Sequence, residues 1–116
     1  MTRVFVYGTL LAGEANHGLL GRARFLGAAA TPASFALYDL GAYPAMIAGG
    51  DRAIAGEVYE VDAATLGALD DLEDHPAYYQ RTEITLADGS RAATYLLSAA
   101  DVVGHAMIGS GSWRAR

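Results

Sequence analysis

The chain has 116 residues, 53% of them hydrophobic, and a net charge of −5. That length and apolar content suit a single domain spanning residues 1–116, and they exclude a disordered segment. The eight basic residues are all arginine and form no run, so no basic stripe exists to meet nucleic-acid phosphates. Without lysine, Schiff-base chemistry and a P-loop are excluded; without cysteine, so are disulfides, thiolate nucleophiles and cysteine-based metal sites.

In chain order, Val4-Phe5-Val6-Tyr7 is a short apolar run stopped by Gly8, the pattern of a buried strand ending in a turn. It begins with no signal-peptide pattern, and no stretch reaches the roughly 18 apolar residues of a spanning helix, so a cytoplasmic protein with no membrane partner is expected. A brief helix is expected over 16–20. Phe25 and Phe35 to Tyr38 read as strands around the turn at Thr31-Pro32. Gly41 to Pro44 is a further turn, Ala45 to Ile47 a short strand, and Ile54 to Val61 the clearest strand. Asp62 caps a helix expected over 63–74, which Pro76 ends. Thr82 to Leu86 and Arg91 to Leu97 flank Asp88-Gly89, a hairpin signal, and the tail from Gly109 is irregular. Strands outnumber helices, which predicts an α+β fold with a small mixed β-barrel or curled sheet and one or two short helices. His17, His75 and His105 show no ligand spacing, so no metal and no cofactor are expected.

The helix carries four acids in five positions, Asp70, Asp71, Glu73 and Asp74. At about 100° per residue, Leu66, Leu69 and Leu72 form an apolar stripe. Glu73 lies about 40° from its centre, whereas Asp70, Asp74 and Asp71 lie about 100°, 140° and 160° away. Three acids are therefore expected to face water and Glu73 the core. An apolar setting costs a carboxylate several kcal/mol unless it is paired or protonated. Two readings follow: a buried salt bridge, with Arg81 as the partner, or a general acid/base whose pKa burial raises toward neutrality. The Val6-Tyr7-Gly8-Thr9-Leu10 turn is of the kind that aims successive backbone N–H groups at one anion. It matches neither a dinucleotide-binding glycine pattern nor a serine nucleophile elbow.

Taken in order, these segments resemble the γ-glutamylcyclotransferase-like family. Val6 to Leu10, Gly13, Asn16-His17 and Leu20 look like its opening motif. Gly56-Glu57-Val58-Tyr59, Leu69 to Glu73, Pro76 and Tyr79-Gln80-Arg81 resemble its central motif, and Ser112-Trp113-Arg114 its closing one. The compact form is nearest in type to γ-glutamylamine cyclotransferases and their small bacterial relatives. Asp74 departs from the pattern, standing where many members have glycine or another small residue, a change expected to reach the pocket rim. The resemblance implies a pocket beside the first loop, a γ-glutamyl substrate held by the amides of Tyr7, Gly8, Thr9 and Leu10, and Glu73 as acid/base. It implies cofactor-free cyclisation to 5-oxoproline with release of an amine, or else a non-catalytic metabolite binder on the same fold. Tyr7 and Tyr79 would wall the pocket, donate hydroxyl hydrogen bonds, or simply pack; Arg81 would pair with a carboxylate and Trp113 plug the core.

Overall fold

The computed structural model describes all 116 residues. Its strands are β1 (Thr2–Val6), β2 (Arg24–Ala30), β3 (Phe35–Asp39), β4 (Pro44–Ala48), β5 (Ala55–Val61), β6 (Gln80–Thr85), β7 (Arg91–Leu96) and β8 (Ala106–Met107). The one α-helix, α1 (Ala63–Leu72), lies between β5 and β6, and 3₁₀ turns cover His17–Leu20, Ala99–Val102 and Trp113–Ala115. Two curled sheets result, a five-stranded one in the order β2-β5-β1-β7-β6 and a three-stranded one in the order β4-β3-β8. The curled-sheet form of the expectation holds; the sheets do not close into a barrel.

β1 is central in its sheet, and it is buried from Val4 to Val6. It pairs antiparallel with β5 from Thr2↔Val61 to Val6↔Glu57, and parallel with β7 through Val4↔Ala93. The buried Thr94 hydroxyl donates to Phe5 O at 2.9 Å and adds a rung to that short parallel pairing. Gly56 lies where the pair is tightest: a Cβ there would fall 2.2 Å from Val6 O and against the Phe5 ring, so only glycine lets the strands approach.

The sheets meet along a seam where Leu97 N–H donates to Met46 O at 3.1 Å. Helix α1 begins as the sequence predicts, with Asp62 accepting from Thr65 N–H at 2.8 Å. Leu69 is fully buried, a contribution of about 2–3 kcal/mol to docking the helix. The helix stops two residues short of the expected end, with Glu73 as its C-cap and Asp74 at φ 51°. The expected helix at 16–20 is a single 3₁₀ turn, and the Asn16 side chain, which makes no cap bond, reaches Thr9 Oγ1 at 2.9 Å. No helix is long and apolar enough to cross a membrane.

Candidate active site

A cavity of about 330 Å³ opens at the seam between the sheets. Tyr7 to Leu10 form one wall, Pro44 and the Tyr43 ring another, Leu72 and Glu73 the helix-end wall, and Tyr79 and Tyr95 line the remainder. All six residues expected at the site, Tyr7, Gly8, Thr9, Leu10, Glu73 and Tyr79, line this one cavity. Chain segments more than sixty residues apart converge there because β1, ending at Val6, and α1, ending at Leu72, both stop at the cavity.

Glu73 is largely buried, and burial alone pushes its carboxyl up from 4.5 to about 7. The salt-bridge reading fails because Arg81 pairs with Asp70. Asp70 also accepts from the Tyr95 hydroxyl at 2.7 Å. The wheel placed Asp70 toward water, but the side chains of Arg81 on β6 and Tyr95 on β7 reach it, and it is half-buried. Leu72, expected in the core stripe, is 39% exposed at the pocket mouth. Asp74 is exposed and outside the cavity lining, so its departure from the family pattern falls on a left-handed backbone position and not on the pocket rim.

The tyrosines do not offer hydroxyl donors to a ligand in the way the sequence allowed. Tyr7 Oη donates to Tyr95 O at 2.6 Å and accepts from Met46 N–H at 3.2 Å, which ties the seam together. Tyr79 Oη donates to Pro44 O at 2.7 Å. Burial, first of all, pushes both hydroxyls far above the ordinary tyrosine range. At the rim, Tyr43 and Tyr78 hydroxyls stand 3.3 Å apart, and that bond, with some burial, pushes Tyr78 up to about 12.

Backbone donors remain. The turn is closed by Leu11 N–H to Gly8 O at 3.0 Å and Asn16 N–H to Thr9 O at 2.8 Å. The N–H groups of Tyr7, Gly8, Thr9 and Leu10 donate to no backbone or side-chain acceptor of the protein. Orphan backbone donors seldom stay unsatisfied, so four in succession beside a cavity mark a place where an anion or carbonyl oxygen is welcome. Gly8 is required for a reason the sequence did not show. Its φ is not positive, but a Cβ would lie 2.6 Å from the Pro44 ring. Tyr95 and Tyr78 carried no sequence signal as pocket residues, since each reads as an ordinary strand or turn member. No three His, Asp or Glu side chains gather into a metal-binding group.

The fold and site define a small α+β protein whose pocket holds one unpaired carboxyl and a row of free amides. The family model described as gamma-glutamyl cyclotransferase, AIG2-like, matches residues 4–115, and the chain belongs to that family. It is 46% identical over 95% of its length to a Vibrio cholerae protein provisionally named a gamma-glutamylcyclotransferase, and spans 93% of that relative. It is 40% identical over 72% of its length to the mouse gamma-glutamylaminecyclotransferase, of which it spans 62%. The solution structure of ytfP from Escherichia coli superposes with a TM-score of 0.76 at 36% identity, covering 96% of this chain and 95% of that one.

Proposed function

We propose that the protein cyclises the γ-glutamyl group of a γ-glutamyl amine or amino acid to 5-oxoproline and releases the free amine. The observation that carries this reading is the unpaired Glu73, titrating near 7 in the same cavity as the free amides of Tyr7 to Leu10. Glu73 takes one proton from the substrate α-ammonium. The freed amine attacks the γ-carbonyl carbon, the new C–N bond closes a five-membered ring, and the bond to the leaving nitrogen breaks. Glu73 returns that proton to the leaving nitrogen. It then takes the second proton, which the ring nitrogen sheds as the lactam forms, and passes it to the departing amine. Two protons in all move from the attacking nitrogen to the leaving one. A pKa near neutrality suits both directions of transfer. The turn amides hold the substrate carboxylate or the oxyanion that develops on the γ-carbonyl. Nucleophile and electrophile belong to one molecule, so the pocket has only to fold it into attack geometry, and no step calls for a cofactor.

A panel of γ-glutamyl amines, γ-glutamyl amino acids and isopeptides, with 5-oxoproline as the readout, tests the reaction. At least one compound is expected to turn over. Tight 5-oxoproline binding without turnover of any of them would leave a metabolite-binding protein instead.

A further inference from the structure

Among the residues that carry the family resemblance but do not line the cavity are Glu57 on β5, and Trp113 and Arg114 near the end of the sequence. They converge behind the turn. Arg114 donates to Ala12 O, donates to Glu57 Oε2 at 3.4 Å, and stands 4.0 Å from Glu14 Oε2. Glu57 Oε1 accepts the Ala12 N–H at 2.9 Å and the Tyr59 hydroxyl at 2.9 Å. Trp113, 3% exposed, donates through Nε1 to Glu14 Oε1 at 3.2 Å. Both backbone groups of Ala12 are thus held, one by each member of an ion pair, two residues beyond the last free amide of the turn. The Glu57 side chain is 13% exposed. Burial pushes its carboxyl up, but the Ala12 amide, the Tyr59 hydroxyl and Arg114 favour the charged form and leave it below its ordinary value.

A backbone segment with unsatisfied N–H groups has every reason to relax into other turns unless something outside it fixes its path. The bonds inside the turn, Leu11 to Gly8 and Asn16 to Thr9, are local, so they open when the turn takes another path and cannot by themselves hold it. We propose that Glu57 and Arg114 are positioning residues that grip Ala12 from both sides and hold the Tyr7–Leu10 amides in their ligand-binding arrangement. This rests on the reading of those amides as the substrate's anchor. Without the grip, the binding-competent turn is only fractionally populated, and apparent affinity falls by that fraction while the bound complex reacts as before.

The test compares the parent with Arg114→Ala, Arg114→Lys and Glu57→Gln by hydrogen exchange and by steady-state kinetics. In Arg114→Ala, exchange at the Leu11 and Asn16 amides is expected to quicken about tenfold while the β1 and β5 amides keep their parent rates. KM is expected to rise about tenfold with kcat nearly unchanged. Arg114→Lys, which keeps the charge toward Glu57 but has no fork to span three acceptors, should recover part of both effects, and Glu57→Gln, which keeps an acceptor for Ala12 N–H, should be mild. Parent-like exchange at Leu11 and Asn16 in Arg114→Ala overturns the proposal, as does a uniform quickening across β1 and β5. If Arg114→Ala does not fold, Arg114→Lys carries the same comparison. The exchange measurement needs no turnover, so it stands even if the parent acts on no γ-glutamyl compound.

Discussion

Asp70 and Glu73 sit three residues apart on one helix, yet their surroundings give them opposite characters. Asp70 is held by Arg81 and by the Tyr95 hydroxyl, so all it can do is fasten the helix to the β6–β7 hairpin. Glu73 has no partner, and burial pushes its carboxyl up to about 7. An acid whose oxygens are taken up by partners is committed to structure, whereas a buried one without them is free to exchange a proton near neutral pH. The difference is made by which elements pack over each flank of the helix, not by the residue type.

The comparison breaks most visibly at Glu73. Glu73→Gln is expected to lower 5-oxoproline formation by about 10² to 10⁴ while making the protein more stable above neutral pH. The folded carboxyl titrates near 7 and the unfolded one near 4.5. Between those values the folded state holds a proton that the unfolded state has lost, so stability falls as pH rises from about 4.5 to about 7. The loss is on the order of 3 kcal/mol. The glutamine variant has no such loss. Denaturation curves for the two should nearly coincide at pH 4.5 and separate by about that amount at pH 8. A variant less stable than the parent at pH 8 would mean that Glu73 is held by a partner after all.

Asp70→Asn should do the reverse. It removes the charge that Arg81 and Tyr95 share, so stability should fall by about 1–2 kcal/mol, with turnover changed less than tenfold. Urea denaturation and the 5-oxoproline assay together check it; a loss of turnover as large as that of Glu73→Gln would put Asp70 inside the reaction.

The neighbouring Asp74 sharpens the contrast from a third side, as an exposed acid at φ 51°. Its side chain has no pocket to serve and its backbone is strained for a non-glycine residue. Asp74→Gly is expected to raise stability by about 0.5–1 kcal/mol, seen as a higher midpoint in the same denaturation assay, with turnover unaltered.

Much of this was legible beforehand, for identifiable reasons. The apolar run into Gly8, the cap at Asp62 and the Asp88-Gly89 turn are local signals, and each marked an element that formed. The inward direction of Glu73 followed from helical periodicity alone. Asp70 was misread because a wheel knows only the helix's own stripe, and its partners Arg81 and Tyr95 lie 11 and 25 residues away. β8, two exposed residues paired to Tyr38 and Asp39, had too little pattern to be seen. Whether the amides of Tyr7 to Leu10 were free depended on where every other acceptor ended up, and Gly8 owed its identity to Pro44, 36 residues on.

The placement of β1 at the centre of its sheet has a cost in time. Its partners are β5, more than fifty residues downstream, and β7, nearly ninety. A nascent chain therefore carries an apolar strand with both edges open until β5 emerges and one edge open until β7 does. Pairings of such long sequence separation make for slow, millisecond-to-second folding rather than microsecond folding, and expose the Val4-Phe5-Val6 segment to wrong partners meanwhile. The Tyr7 hydroxyl bond to Tyr95 spans 88 residues, so the pocket is completed only after β7 has joined the sheet.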